Sequence, residues 1–348
     1  MKTVSLDVHK EKTQFTVALT TGEIVAEKVV ETKAEALRSE VARVAGPKRV
    51  VLENSGWAAW IRDAVKDVAE EVIVCDPTRN KLISKAENSN DERDAERLGL
   101  LSRVGALHRI YVPPEPYRTL RSLVQHEWNL TQELTRDKLR LKAFCRRVGV
   151  AYRGRSIYRK ESRELFIAQF PEQSRFQLSS LLRTMDATKE EQRLVRRELR
   201  RLTLGLPVTA RLQTIPGIGV VVARTLVAWI VDPGRFKSFN ALSAYAGLGL
   251  KQDISNWRVV RRAHASKRGQ RAVKRVLYLA ARAAVHAGQN AFAARYRARI
   301  AAGWEDRNAI RDMARKILFC ACRLWTSKEE YDDGRINTFA PAPALSAR

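Results

Sequence analysis

From Ile254 to Trp304 the chain contains no aspartate and no glutamate, yet Arg258, Arg261, Arg262, Lys267, Arg268, Arg271, Lys274, Arg275, Arg282, Arg295, Arg297 and Arg299 all fall within it. Charge of one sign at that density repels itself, so a polyanionic partner is expected, with a solvated basic face as the alternative. Cysteine is scarce. Cys75, Cys145, Cys320 and Cys322 are too few and too scattered for a disulfide framework. Cys320 and Cys322 stand one residue apart with no His or second Cys pair nearby, which excludes a zinc site and leaves core thiols. Long apolar runs are missing too. A spanning helix needs about 18 apolar residues in a row, and the longest run here is broken at Arg224. The first residues enter a strand without the charged-then-apolar order of a signal peptide, so a cytosolic protein with no membrane partner is expected.

What is present points the same way. The 348 residues carry a formal net charge of +26 and are 45% hydrophobic. That is a globular composition far more basic than solubility requires, and nucleic acid is the expected partner. The length allows two domains of ordinary size joined by a helical connector. Residues 2–8, 13–20 and 23–30 read as strands, the last two meeting at the hairpin signal Thr21-Gly22. A helical period over 33–44, an apolar strand Lys48–Glu53, a helix Trp57–Val68, a strand Glu71–Cys75 and a helix Asp91–Val104 follow. A three-strand meander and then alternating helices and strands predict an α/β domain over residues 1–112, a mixed five-stranded sheet flanked by helices in ribonuclease H-like order.

Pro113, Pro114 and Pro116 stop any helix and mark a boundary. Over 113–205, Leu120, Leu123, Val124, Trp128, Leu130, Leu134, Leu141 and Phe144 recur at helical spacing. So do Phe176, Leu181, Leu182, Met185, Val195, Leu199 and Leu202 in a second helix over 173–203. Charge-laced helices of this length suit a helical hairpin or a coiled-coil dimer contact, or simple packing on their own domain. A mostly helical region, 206–330, opens with Thr214-Ile215-Pro216-Gly217-Ile218-Gly219 ahead of the apolar helix Val220–Val231. This is the turn of a helix-hairpin-helix element, in which Gly217 and Gly219 let backbone amides approach a DNA phosphate, or it is a purely structural turn. Residues 331–348 read as a tail.

Four carboxylates stand out. Asp7 interrupts the apolar strand Val4-Ser5-Leu6-Asp7-Val8, where an unpaired acid is costly unless a cation is near. Glu53 ends its strand before the turn Asn54-Ser55-Gly56, and a central strand beside the first places it next to Asp7. Asp91 and Asp94 stand three apart on a predicted helix and share one face. Together they could hold two Mg²⁺ ions, which prefer carboxylate oxygens and leave positions open for a phosphate. A surface Asp7 at a strand end, and a solvated helix start at Asp91 and Asp94, are the alternatives. In the basic stretch, Trp257 and Tyr278 could stack on unpaired bases or serve as core aromatics.

These residues resemble a family, the insertion-sequence transposases of the Asp-Glu-Asp-Asp type, whose members are bridge-RNA-guided DNA recombinases. The resemblance covers roughly residues 2–325. Its marks are Leu6-Asp7-Val8-His9-Lys10, Leu52-Glu53-Asn54-Ser55-Gly56 and Asn90-Asp91-Glu92-Arg93-Asp94-Ala95. Farther on come Ile215-Pro216-Gly217-Ile218-Gly219, Phe239-Asn240-Ala241-Leu242-Ser243-Ala244-Tyr245-Ala246-Gly247-Leu248 and Ser266-Lys267-Arg268-Gly269.

The resemblance implies a RuvC-like catalytic domain with Asp7, Glu53, Asp91 and Asp94 as Mg²⁺ ligands, a coiled-coil connector, and a C-terminal domain carrying a nucleophilic serine. Ser255 falls at the family serine's place, although Asn256 and Trp257 follow it where the family commonly has Gly, and Ser266 is the second candidate. It further implies donor and target DNA as substrates, a structured guide RNA, and homodimers that pair into tetramers. Gly217, Gly219, Trp257, Arg258, Arg261, Arg262, Lys267, Arg268, Arg271, Lys274 and Arg275 are then the expected nucleic-acid contacts. Two rivals share parts of this pattern: a RuvC-like junction-resolving nuclease that uses water, and a non-catalytic nucleic-acid-binding protein.

Overall fold

A computed structural model of the chain describes residues 1–80, 98–152, 158, 161, 163–255, 258–265 and 269–335. The chain divides into two units, Met1–Pro113 and Pro114–Arg348.

In the first unit, strands β1 (Lys2–Val8), β2 (Lys12–Ala18) and β3 (Ile24–Glu31) are followed by helix α1 (Ala34–Arg43), β4 (Lys48–Glu53), α2 (Ala58–Val65), β5 (Glu71–Cys75), the short α3 (Pro77–Asn80) and a helix α4 over 98–103. The five strands form one sheet in the order β3-β2-β1-β4-β5. β1 pairs antiparallel with β2 and β2 with β3, whereas β4 runs parallel to both β1 and β5. This is the ribonuclease H-like, RuvC-like order that the meander and the alternating elements predicted.

The two faces of the sheet differ because side chains alternate along each strand. Val4, Leu6, Phe15, Val17, Val50 and Leu52 point to one face, where Leu37 and Val41 of α1 and Ile61 and Val65 of α2 close over them. Burying each Val or Leu there contributes about 1.5–3 kcal/mol. The opposite face is polar across β1 and β2, with Thr3, Ser5, Gln14 and Thr16 all buried. It turns apolar under Leu98 of α4, which packs on Val51, Ile73 and Cys75. α4 lies close on this second face. A Cβ on Gly99 would come within 3.2 Å of the Ser5 hydroxyl.

The second unit is mostly helical. Its helices are α5 (Tyr117–Arg147), α6 (Arg163–Ala168), α7 (Glu172–Leu204), α8 (Pro207–Leu212), α9 (Val220–Ile230), α10 (Phe239–Tyr245), α11 (Arg271–Ala287), α12 (Ala291–Ala301) and α13 (Asp306–Ser327). A two-stranded hairpin of β6 (Leu250–Ser255) and β7 (Arg258–Ala265) stands between α10 and α11. The pair α5 and α7 has an apolar cluster at each end. Leu141, Phe144, Phe166, Phe170, Leu178, Leu182 and Met185 form one. At the other, Leu120, Val124, Val195 and Leu199 join the core shared by α8, α9, α11 and α13. Phe176, expected on the buried stripe of α7, is instead 78% exposed. It lies two residues, about 200° of helix rotation, from Leu178, which heads the stripe that is buried.

Polar pairs occupy the middle of the α5–α7 seam. Gln192 Nε2 donates to Thr131 Oγ1 at 2.8 Å, and Thr188 Oγ1 donates to Asp137 Oδ2 at 3.0 Å. Glu127, 4% exposed, accepts from Arg196 Nε at 2.8 Å and from the buried Arg224 of α9. Burial pushes the Arg224 guanidinium below its ordinary pKa, and the carboxylate of Glu127 opposes that shift. Buried polar pairs of this kind fix helix register, since any slip leaves them unpaired. The four cysteines are free and buried, and burial pushes the Cys320 thiol up to about 12.

Candidate functional site

β1 and β4 are neighbours and parallel, with Leu6 level with Leu52. The next residue on each strand is the acid, so Asp7 and Glu53 stand side by side at the C-terminal ends of adjacent strands, roughly 4.8 Å apart in strand spacing. Both are half-buried. By alternation they share the polar face with Ser5, whose register partner on β2 is Thr16, while Asp7 itself sits opposite Gln14. Gln14 Nε2 donates to Glu27 Oε1 at 3.0 Å, which orients that amide. On the far side Glu53 is level with Cys75, and the amide of Asn54 donates to the Cys75 carbonyl at 2.8 Å. The strand end that carries Glu53 is thereby tied to β5.

His9 completes the edge. Its Nε2 lies 3.1 Å from Asp7 Oδ2, and its side chain is 54% exposed. Nothing in the strand pattern singles it out, although its spacing two residues beyond Asp7 is the period that brings side chains to one face. Asp76, one residue past β5, is a further acid at this edge. It accepts from the amide and hydroxyl of Thr78 at 3.0 and 2.7 Å, a turn-capping arrangement. Asp91 and Asp94 lie outside the described residues. Among the described residues, no group of three or more His, Cys, Asp or Glu side chains is assembled to hold a metal ion.

The residues expected from the C-terminal pattern separate into three kinds. Gly217 serves packing: its φ is +86°, and a Cβ there would lie 2.2 Å from the Ala280 carbonyl oxygen of α11. Gly219 has extended backbone and nothing within 4 Å of where a Cβ would stand. Arg275 lays its guanidinium 3.2 Å from the centroid of the Trp128 ring, joining α11 to α5, and burial lowers its pKa. Lys274 is half-buried and Arg271, the first residue of α11, is exposed. Arg258, Arg261 and Arg262 belong to β7. Ser255 is the last residue of β6 and is paired in register with Arg258, so it stands at the tip of the hairpin, beside the turn. Trp257, Ser266, Lys267 and Arg268 lie outside the described residues.

The β6–β7 hairpin has only weak strand signals in its sequence. Ile254 and the β-branched pair Val259-Val260 are diluted by the arginine and histidine residues of β7. At its base the segments Ala246-Gly247-Leu248 and Gly269 are brought together. Gln270 donates its amide to the Tyr245 carbonyl at 2.7 Å.

Residues 4–149 match the family model of the DEDD transposase of IS110, described as "Transposase", and residues 209–297 match the model described as "Transposase IS116/IS110/IS902 family". The chain belongs to the IS110-type insertion-sequence transposases with a DEDD-type N-terminal domain. Among curated relatives, y4qE of Sinorhizobium fredii, which carries a provisional transposase name, is 24% identical over 213 residues, 61% of this chain and 52% of that protein. An uncharacterized 43.6 kDa protein of the insertion element IS110 of Streptomyces coelicolor is 30% identical over 108 residues, 31% of this chain and 26% of that protein. The matched stretch thus spans about half of one relative and about a quarter of the other. No helix among the described residues is long and apolar enough to cross a membrane.

Proposed function

We infer that the protein is a DNA transposase that cuts and rejoins DNA strands for an insertion sequence. The observation that carries this reading is the placement of Asp7 and Glu53 side by side at the ends of parallel neighbouring strands on the polar face of the sheet. Two adjacent carboxylates repel each other, and a cation bound for phosphate chemistry would relieve that repulsion. Leu98 packs on that same face. Asp91 and Asp94 are the other two acids by family resemblance, seven and four residues before it in the sequence.

The donor set is all carboxylate oxygen, the chemistry that suits Mg²⁺. Two Mg²⁺ ions held by Asp7, Glu53, Asp91 and Asp94 would offset the charge of a phosphodiester and polarise its scissile bond. His9 holds one oxygen of Asp7 and so limits the rotation of that carboxylate. Ser255 is the nucleophile in this reading. Its Oγ loses its proton and forms a bond to phosphorus, and the bond from phosphorus to a deoxyribose oxygen breaks. That oxygen leaves with a proton. In the reverse step a deoxyribose hydroxyl attacks the phosphoserine, and Ser255 is released with its proton restored, so the phosphodiester energy is retained for rejoining. The basic residues Arg258, Arg261, Arg262, Lys267, Arg268, Arg271 and Lys274 hold donor and target DNA and a structured guide RNA. Target choice then rests on base pairing rather than on side chains. Homodimers that pair into tetramers are the working assembly by family resemblance.

Asp7→Asn and Glu53→Gln test the reading. Each is expected to abolish Mg²⁺-dependent strand cleavage while leaving DNA affinity, measured in EDTA, at the wild-type level. Unchanged cleavage in Asp7→Asn overturns it.

A further inference from the structure

We propose that Trp57 is a stacking platform for an unpaired base of the DNA strand at the carboxylate edge, so that strands already open at the point of attack are preferred. β4 ends at Glu53, and Asn54-Ser55-Gly56 leads into Trp57, the residue before the first of α2. Four residues of chain span at most about 14 Å, which keeps Trp57 close to the two acids. In open α/β sheets, ligands bind outside the carboxyl ends of the strands, and that is the end this loop occupies.

Three observations set Trp57 apart from an aromatic that only covers a core. First, it is 39% exposed, although an indole is one of the largest apolar surfaces a chain can bury. Second, its backbone is fixed on both sides. Its amide donates to Ser55 Oγ at 3.2 Å, and its carbonyl accepts from the Ile61 amide at 3.2 Å. At the start of the loop, Asn54 is tied to β5 through the Cys75 carbonyl. Third, its ring is braced. Trp60, which packs on the apolar cluster of the sheet, meets it edge to face, with centroids 6.4 Å apart and planes at 84°. One aromatic contact thus orients the indole and still leaves much of it in solvent. Trp304 gives the contrast. It is 40% exposed, but the Arg299 guanidinium lies 4.3 Å from its ring centroid, and Arg299 Nε donates to Asp312 at 3.0 Å. That ring already has a partner in the fold.

A rigid, exposed aromatic plane matches the face of a nucleobase. Such stacking tolerates any base but requires one that has left its own stack, because neighbours cover both faces of a base inside a duplex. A base held on Trp57 would fix its strand along the edge where Asp7 and Glu53 stand. Membership in a transposase family commits the occupant to DNA, and to that extent the inference rests on the function proposed above.

The test is binding of the full chain in EDTA, by anisotropy, to labelled oligothymidylate and to its duplex with oligoadenylate. Trp57→Leu keeps an apolar side chain against Trp60 and removes the aromatic plane. It is expected to keep the wild-type melting temperature, to weaken binding of the single strand by about 5- to 150-fold, the range for one base–aromatic stack, and to leave duplex binding unchanged. Trp57→Phe, which keeps an aromatic face, is expected to retain most of the single-strand affinity. Photocrosslinking of an oligothymidylate that carries iododeoxyuridine, followed by peptide mapping, is expected to label Trp57. Wild-type single-strand affinity in Trp57→Leu, or an equal loss on the duplex, overturns the platform, as does crosslinking confined to other residues. A loss seen with oligouridylate and absent with oligothymidylate overturns the assignment to DNA. Because no cutting is needed, a wild type that binds but never cleaves overturns the proposed function, while a single-strand loss in Trp57→Leu that Trp57→Phe restores still supports the platform.

Discussion

A Cβ on Gly269 would lie 2.5 Å from both the Cα and the amide nitrogen of Gly247, so two stretches of backbone cross there with no room for a side chain. Both glycines have positive φ, +111° and +71°. The crossing pinches the base of the β6–β7 hairpin and explains why glycine is used at two positions far apart in sequence. Gly269→Ala is expected to cost about 1–3 kcal/mol from the backbone conformation alone, with the overlap adding to it. Gly105→Ala, where φ is +67° but nothing lies within 4 Å, is the matched control and is expected to cost about 1 kcal/mol. Chemical denaturation of the two variants measures the difference. Equal costs would remove the crossing as the reason for glycine.

The Glu127–Arg224 pair leads to a second prediction about stability. Both residues are nearly fully buried and joined to each other, with Arg196 on the rim. Glu127→Ala leaves Arg224 charged and buried without its partner, and is expected to destabilise the second unit by about 3–5 kcal/mol. Glu127→Leu/Arg224→Met removes both charges at similar volume and is expected to recover most of that loss. A double variant no more stable than Glu127→Ala would show that packing, rather than the unpaired charge, sets the cost.

The sheet was legible in the sequence because period-2 runs, the Thr21-Gly22 turn and the interruption of an apolar strand by Asp7 are all local signals. Adjacency of Asp7 and Glu53 followed from strand order, and the parallel register of Leu6 with Leu52 makes it concrete. The seam of α5 and α7 was less legible. Glu127, Asp137 and Gln192 are buried there, while residues of these types are ordinarily assigned to solvent. Their burial depends on partners far away in sequence, and no local period encodes it. His9 is illegible for a different reason: a single exposed histidine carries no pattern until its ring is seen on Asp7.

That contact makes His9 a positioning residue with a measurable effect. Groups that orient a ligating carboxylate typically contribute about 10–100-fold in metal affinity or activity. His9→Ala is therefore expected to raise the Mg²⁺ concentration for half-maximal cleavage within that range. At saturating Mg²⁺ the rate should recover, and DNA affinity in EDTA should be unaffected. A His9→Ala protein with an unchanged Mg²⁺ titration would remove His9 from the site.

The last prediction concerns the two candidate serines. Ser255 stands at the tip of the β6–β7 hairpin, level with Arg258, whereas Ser266 follows the other end of β7 just after Ala265. A nucleophile must reach a phosphate on another molecule, and Ser255 stands beside the hairpin turn, while the neck at Gly247 and Gly269 is closely packed. Ser255→Ala is accordingly expected to abolish both strand exchange and the protein-linked DNA that resists denaturant. Ser266→Ala should retain both, at a rate reduced by no more than its effect on stability. Ser255→Cys adds a second measurement, since a thiol can form a covalent adduct that stalls before rejoining. Protein-linked DNA that persists in Ser255→Ala and disappears in Ser266→Ala would transfer the nucleophile to Ser266. Mg²⁺-dependent cleavage that survives both substitutions, with no adduct in either, would instead assign the attack to water.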